Sequence, residues 1–144
     1  MPHTMKYEIS AGGIVYRKKG NTRLWLLIQQ ANTGHWGFPK GLVGDNNPEE
    51  TLEEAALREV REEGGVHAQI KHTIATPSRY FYTWRGEKVK KTVWYFVMEY
   101  MSGSAKDHDI EVERAQFVEE SLVPARLTYQ NDRKMFRLAI DELT

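Results

Sequence analysis

The chain has 144 residues, of which 40% are apolar. This length and apolar fraction are sufficient to form one small hydrophobic core, so we expect a single domain over residues 1–144. Its 20 basic and 20 acidic residues cancel, so no overall field attracts RNA or an anionic membrane, and both are disfavoured as partners. The absence of cysteine excludes disulfides and thiolate metal sites and favours a cytoplasmic location. The first six residues contain no apolar run, which predicts neither a signal peptide nor a transmembrane segment.

Hydrophobic periodicity predicts several strands and a C-terminal helix. The strands are expected over residues 7–17, 24–29, 66–73, 79–84 and 89–101, and the helix over 131–143. Gly12 and Gly13, inside the first strand, predict a bulge or a close backbone approach. The strand at 89–101 is apolar on both faces, so helices must cover both sides of its sheet. The expected fold class is therefore α/β, with a mixed sheet between helices.

An acidic helix face is the most informative feature of the chain. Glu59, Glu62 and Glu63 stand at i, i+3 and i+4, which places their carboxylates on one side of a helix. Ala55 and Ala56 fall on nearly the same stripe, so the face that should turn inward becomes acidic in its last turns. An ordinary solvated face, which is the alternative interpretation, would lie opposite the apolar stripe instead of continuing it.

The ends of this helix are marked by local signals. Asn47 is predicted as the N-cap, with Pro48 in the first turn and Glu50 three residues after the cap. Gly65 is expected to terminate the helix in a left-handed conformation. Arg58 lies four residues before Glu62, within pairing distance on a helix. The acids stand at the C-terminal end, where the helix dipole disfavours anions, so local stability does not explain them.

Three carboxylates within one helical turn repel one another unless a cation lies among them. Hard oxygen ligands at that density suit Mg²⁺ or Mn²⁺, which bind a few carboxylates together with phosphate oxygens. The spacing therefore predicts a metal site for phosphate chemistry. The five histidines have no metal-ligand spacing and are expected to be incidental.

The segment resembles the box of the Nudix hydrolases, G-x5-E-x7-R-E-U-x-E-E-x-G-U with U bulky and apolar. The matching positions are Glu50, Arg58, Glu59, Val60, Glu62, Glu63, Gly65 and Val66. The run Trp36-Gly37-Phe38-Pro39-Lys40-Gly41 is similar to the segment that leads into the box. Gly44 satisfies the formal spacing, whereas Gly41, in the Pro-Lys-Gly context, lies three residues earlier. A three-residue insertion at about 45–47 would explain why Gly41 lies further from Glu50 than the box expects. The carbonyl that reaches the metal could then belong to Gly41 or to Gly44.

The resemblance implies a Nudix-type α/β/α sandwich and metal-dependent hydrolysis of nucleoside diphosphates linked to another moiety. Glu59, Glu62 and Glu63 would bind Mg²⁺ or Mn²⁺ and take part in catalysis, with Gly41 as a further metal ligand. The loop before a predicted apolar strand is expected to contribute one more acid to the metals or the attacking water, with Glu111 preferred to the alternative, Glu113.

Within the family the chain looks most like the dinucleoside polyphosphate hydrolases, for which diadenosine tetraphosphate is a typical substrate. Lys40, Arg79 and Lys91 are the predicted phosphate contacts. Tyr80 and Tyr82 alternate along one predicted strand and are expected to stack on a base, unless they fill the core. Glu50, Arg58, Gly44 and Gly65 are expected to support the motif structurally.

Three other functions are consistent with the same residues. Two are enzymatic: a nucleoside triphosphate pyrophosphatase that removes oxidised nucleotides, and a hydrolase of RNA 5′ ends, which the zero net charge disfavours. The third is a nucleotide-binding regulator without catalysis, against which the intact glutamates count. The sequence is compatible with a monomer or a homodimer.

Overall fold

A mixed eight-stranded sheet forms the centre of the computed structural model, which describes residues 5–144. The strands are β1 (Lys6–Lys19), β2 (Thr22–Gln30), β3 (Trp36–Gly37), β4 (Lys40–Leu42), β5 (Val66–Thr73), β6 (Ser78–Trp84), β7 (Glu87–Gly103) and β8 (Val112–Glu119). The helices are α1 (Leu52–Gly64), α2 (Val123–Arg126) and α3 (Gln130–Glu142). The expectation for the first six residues lies mostly outside the described part. Within that part, no helix is long and apolar enough to cross a membrane.

The sheet combines parallel and antiparallel pairs, which confirms the predicted mixed topology. Its main order is β3-β2-β1-β7-β5, with β4 pairing with β1, β6 with β7 and β8 with β2. β1 and β7 run parallel over eleven paired positions, whereas the other pairs are antiparallel. β3 and β4 were not predicted, because two or three residues carry no periodic signal and become strands only by pairing with β2 and β1.

Helices cover both faces of the sheet, as the two-sided apolar pattern of β7 predicted. α1 packs on a cluster that includes Ala11 and Phe96, and α3 packs on the opposite side against Trp25 and Tyr95. Gly13 lies so close to Val60 of α1 that an added Cβ would overlap its side chain. The close approach predicted at the glycine pair is therefore present, and it lets α1 sit directly on β1.

The start of α1 corrects the predicted N-cap. The cap is Thr51 and not Asn47: the Thr51 hydroxyl accepts from the Glu54 N–H at 3.1 Å, and the Glu54 carboxylate accepts from the Thr51 N–H at 2.9 Å. Asn47 instead organises the preceding loop, where its side chain and carbonyl accept from the N–H groups of Glu49 and Glu50. The cap lies later because the reciprocal pair satisfies two main-chain donors at once.

Candidate active site on helix α1

The acidic face of α1 turns inward, as its phase predicted. Ala55 and Ala56 are fully buried, and Glu59 and Glu63 are only 8% and 6% exposed. The Glu62 side chain is 41% exposed and lies at the edge of the same face. Carboxylates are rarely buried to this degree unless they are paired or bind a cation. The burial of Glu59 and Glu63 therefore requires compensating partners.

Arg58 supplies this compensation for Glu59 and also pairs with the more exposed Glu62. Its guanidinium lies 2.6 Å from the Glu59 carboxylate and 3.2 Å from that of Glu62. It also donates to both oxygens of Glu50, at 2.7 and 3.0 Å, and to the Leu42 carbonyl at 3.1 Å. These hydrogen bonds, with that to Glu50 foremost, raise the pKa of Arg58 well above its usual range. Arg58 thus joins α1 to the loop that precedes it and to the end of β4.

Gly41 and Gly44 meet different structural requirements. Gly41 pairs with Ala11 of β1, and an added Cβ there would overlap the Glu59 carboxylate. Gly44 has φ +83°, a left-handed conformation, and its N–H donates to Glu50 at 3.1 Å. The Pro-Lys-Gly glycine therefore lies at the acidic face, and the glycine at the formal box spacing shapes the loop.

Lys40 connects the acidic face with the adjoining cleft. Its main-chain N–H donates to Glu63 at 2.9 Å, and its ammonium lies 3.3 Å from the Tyr80 hydroxyl. Burial raises the pKa of Glu63 to about 8, against the lowering effect of the Lys40 N–H, and the nearby Glu59 and Asp109 add to the rise. Burial also raises the pKa of Glu59, although Arg58 opposes it.

The loop before β8 brings a fourth acid, Asp109, to this face. The Asp109 N–H donates to the Glu62 carbonyl at 2.8 Å, and the Asp109 carboxylate repels those of Glu59 and Glu63. Glu111, the predicted acid, is exposed, and its N–H donates to the Asp109 side chain at 3.2 Å. Sequence reasoning considered this loop but did not select Asp109, because no periodic signal separates the acids of a loop.

A cleft of about 760 Å³ lies beside the acidic face, between β6 and the N-terminal end of α3. Four of the five predicted substrate-binding residues line it, namely Lys40, Tyr80, Tyr82 and Lys91. Arg79 is exposed, and strand alternation directs its side chain to the opposite side of β6.

Both tyrosines line the cleft, and Tyr80 also packs against the core cluster on the α3 side of the sheet. Their rings lie 6.4 Å apart, and both side chains are partly exposed. Tyr82 donates to Glu8, which also pairs with Lys91 at 3.8 Å. Burial, together with that hydrogen bond, raises the pKa of Tyr82 to about 12, so the hydroxyl stays protonated at neutral pH.

Two functional candidates in the cleft were missed from the sequence. Asp132, in the first turn of α3, is 6% exposed, and burial raises the pKa of its carboxyl although Lys40 opposes the rise. Tyr129 lies at the rim with its hydroxyl 2.5 Å from Nδ1 of His35. Nothing local in the sequence indicates that Asp132 lies with Lys40 in the cleft.

The donor set of the acidic face fits a divalent cation. Burial and the negative charge of nearby acids both raise the pKa values of Glu59 and Glu63. A bound cation would offset both effects, because it stabilises the ionised carboxylates. As the side chains stand, no three acids or imidazoles within residues 5–144 are grouped as a metal site. Arg58 holds Glu59 and Glu62, and the Lys40 N–H holds Glu63.

Comparison with known proteins identifies the family. A family model described as the NUDIX domain matches residues 6–139. The putative mutator protein MutT4 of Mycobacterium tuberculosis is 32% identical over 143 residues, which are 95% of this chain but 56% of that protein. The chain therefore spans little more than half the length of that relative.

Two further proteins are similar to the chain. The bis(5′-nucleosyl)-tetraphosphatase [asymmetrical] of Rattus norvegicus is 34% identical over 114 residues, covering 74% of this chain and 71% of that protein. The crystal structure of a C. elegans Ap4A hydrolase binary complex superimposes with a TM-score of 0.72 at 23% identity, covering 94% of this chain and 97% of the other. This structural likeness confirms the fold, and a matched model over nearly all of the chain shows that it belongs to the NUDIX family, the Nudix hydrolases, which generally use divalent metals.

Proposed function

We propose that the chain is a Mg²⁺-dependent pyrophosphohydrolase that cleaves dinucleoside polyphosphates such as diadenosine tetraphosphate. The position of Lys40 is the observation that carries the proposal. Its main chain binds Glu63 of the acidic face, and its ammonium lies beside Tyr80 inside the cleft. Lys40 thus contacts both the acids that can bind a metal ion and the tyrosine rings on which a base can stack. Its ammonium group lies between them, where it can bind phosphate.

The cleft offers contacts for both parts of a nucleotide. Tyr80 and Tyr82 present neighbouring rings on which a base can stack. Lys40 and Lys91 provide positive charge on the same side of the sheet. Burial lowers the pKa of Lys40, but the nearby Tyr80 and Asp132 outweigh it, so the pKa is raised and the ammonium stays charged. For Arg79 on the other side of β6, contact with phosphate remains a prediction.

In the proposed reaction, water attacks a phosphorus atom and the anhydride bond to the leaving phosphate breaks. Glu59, Glu62 and Glu63 would hold the metal, together with the Gly41 carbonyl. A bound divalent ion neutralises phosphate charge and makes a water molecule more acidic. Lys40 would orient the phosphate chain from the cleft side, and Arg58 would hold Glu59 and Glu62 in position.

The proton of the attacking water needs an acceptor carboxylate. Glu111 is the predicted acceptor from the loop before β8, and Asp109 in the same loop is a second candidate because its charge reaches Glu59 and Glu63. Comparing Glu111→Gln with Asp109→Asn assigns the role. The acceptor variant should lower kcat and lose the acidic limb of its pH profile, because the carboxylate that titrates there has been removed, whereas the other variant should keep that limb.

Each of the three alternative functions would give a different result with the same substrates. A nucleoside triphosphate pyrophosphatase would release pyrophosphate from triphosphates and leave dinucleotides intact. A hydrolase of RNA 5′ ends would act on triphosphorylated RNA, and a nucleotide-binding regulator would bind nucleotides without turnover. The buried acids of α1 count against a regulator, since nucleotide binding alone does not require them.

A substrate panel tests the proposal directly. Diadenosine tetraphosphate and hexaphosphate, ATP, an oxidised deoxyguanosine triphosphate and triphosphorylated RNA would be incubated with Mg²⁺, with Mn²⁺ or with a chelator. Products would be separated chromatographically after reaction in ¹⁸O-labelled water, which identifies the attacked phosphorus. We expect metal-dependent cleavage of the dinucleotides with the highest kcat/KM. Faster cleavage of any other substrate would overturn the assignment.

A further inference from the structure

The β6–β7 hairpin is strongly basic although the chain as a whole is neutral. Residues 79–91 contain five basic side chains and one acidic side chain, which gives a local net charge of +4. The chain's net charge is zero, so the remaining residues carry the balancing negative charge. A net charge of zero, which by itself disfavours RNA binding, is therefore compatible with a basic surface in this one region.

Part of this charge lies on the side of the sheet that faces away from the cleft. Tyr7 of β1, Lys90 of β7 and Phe81 of β6 are paired across three adjacent strands, so their side chains share one face. Arg79 and Lys88 lie on the same face by strand alternation. We call these five side chains, Tyr7, Arg79, Phe81, Lys88 and Lys90, the outer platform.

The outer platform is open to solvent and rich in aromatic and cationic groups. Tyr7 is 69% exposed and Phe81 is 54% exposed, because α1 covers this side of the sheet only further along, at Ala11 and Phe96. The ammonium groups of Lys88 and Lys90 lie 4.8 and 5.9 Å from the centre of the Phe81 ring.

The platform carries no opposing charge within the described strands. The acids of β1, β6 and β7, namely Glu8, Glu87 and Glu99, alternate to the other side of the sheet, where Glu8 pairs with Lys91. Phe81 also borders the cleft, since β6 forms the wall between the two surfaces. Tyr7, in contrast, lies away from the residues that line the cleft.

We propose that the outer platform binds single-stranded RNA. Exposed aromatic rings on a sheet provide stacking surfaces for unpaired bases, and flanking lysine and arginine side chains contact the phosphate backbone. One strand, β7, lies between Tyr7 and Phe81. At the usual strand spacing the two positions are therefore about 10 Å apart, so a separate base can stack on each ring. RNA is the nucleic acid with unpaired, unstacked bases in its loops and ends.

Other occupants fit the platform less well. A second copy of the chain would place like charges of the two platforms opposite each other. A duplex keeps its bases stacked and paired, which leaves the rings without a partner. A membrane surface favours apolar side chains that protrude together. On this face the exposed apolar side chain of Ile9 and the rings of Tyr7 and Phe81 lie on a flat sheet, among the cationic side chains of Arg79, Lys88 and Lys90.

Fluorescence anisotropy with a short, 3′-labelled RNA of mixed sequence tests the proposal. The RNA carries a 5′ hydroxyl and the buffer contains a chelator, so neither the phosphoanhydride chemistry nor a metal contributes. The double variant Lys88→Glu and Lys90→Glu removes platform charge. The matched control is Lys18→Glu and Lys19→Glu, which changes the net charge equally at the exposed end of β1. Tyr7→Ala removes one exposed ring.

We expect binding at low salt that weakens with added salt, and a loss of about tenfold or more in affinity for the platform double variant. Tyr7→Ala should lose about fivefold or more, and the control should lose much less than the platform variant. Hydrolysis of dinucleotides by the platform variant should stay at the wild-type rate, which keeps this test separate from the proposed function. Absence of RNA binding, equal losses in the two double variants, or equal affinity for duplex RNA would overturn the proposal. Platform-dependent binding to anionic vesicles without RNA binding would overturn it as well.

Discussion

Gly41 lies against the carboxylate of Glu59, so closely that a β-carbon at position 41 would overlap the carboxylate oxygens. The contact arises because β4 pairs with β1 directly beneath α1. The position of this carboxylate, and with it the proposed metal site, therefore depends on the absence of a side chain at residue 41.

Gly41→Ala is expected to reduce kcat strongly and to weaken metal binding, because the added methyl group displaces Glu59. Gly44→Ala is the matched comparison. Its left-handed conformation costs about 1–2 kcal/mol for a residue with a side chain, so it should lower the melting temperature but retain metal affinity. Isothermal calorimetry with Mn²⁺ and thermal melts separate the two effects. Equal metal affinity in both variants would remove Gly41 from the site.

Glu62→Gln and Glu63→Gln should each lose most activity while the protein stays folded. Each change removes a proposed metal ligand, but it also relieves repulsion or a burial cost among the acids, so metal-free stability should hold or rise slightly. Glu53→Gln, on the exposed side of the same helix, is the control. Turnover at saturating Mg²⁺ and melting in a chelator are the measurements. Near-normal turnover in both variants would contradict the site assignment.

Thr51→Ala is expected to destabilise the protein by about 1 kcal/mol because it removes the N-cap hydroxyl of α1. Asn47→Ala should cost less, since Asn47 binds only within the exposed loop. Neither change should alter kcat, because Thr51 at the start of α1 and Asn47 in the loop before it both lie away from the acids at the C-terminal end of the helix. Urea denaturation of the two variants measures the loss of unfolding free energy for each. A larger loss for Asn47→Ala than for Thr51→Ala would contradict the assignment of Thr51 as the N-cap.

Tyr82→Ala should raise KM for diadenosine polyphosphates by about one to two decades, the expected effect of losing a stacked base. The effect on kcat should be small, because stacking stabilises the ground state and the transition state alike. Tyr82→Phe keeps the ring and loses only the hydrogen bond to Glu8, so its KM should stay near the wild-type value. If Tyr82→Ala folds and binds every dinucleotide normally, Tyr82 does not contact the substrate.

Glu120 should stabilise the protein at neutral pH and lose this contribution in acid. Its hydrogen bond from Arg23, at 2.6 Å, and a second from Trp25 hold the pKa of Glu120 below its ordinary value of 4.5. A lowered pKa in the folded state gives stability that is present above the unfolded pKa and is lost as the pH falls through the folded pKa. The difference in unfolding free energy between wild type and Glu120→Gln should therefore be greatest at neutral pH and shrink below about pH 4. A constant difference across this range would contradict the assignment.

The sequence by itself determined the acidic face of α1, because helical spacing places Glu59 and Glu63 on the stripe of Ala55 and Ala56 whatever the rest of the chain does. It also determined the long strands, whose alternation is local. β5 was predicted with its observed bounds, and β6 and α3 were predicted to within one residue at each end. The NUDIX family followed from the spacing of the box residues, and the family model confirms it.

Only the tertiary structure decided which side chains meet at the acidic face and in the cleft. Asp109 and Asp132 come from distant segments, and no local pattern shows that they approach Glu63 and Lys40. Strand pairing turned Tyr80 and Tyr82 toward the cleft and Arg79 away from it, although the three are neighbours in sequence. Local periodicity sets the orientation of a side chain relative to its own element, whereas its partners depend on the packing of elements far apart in the chain.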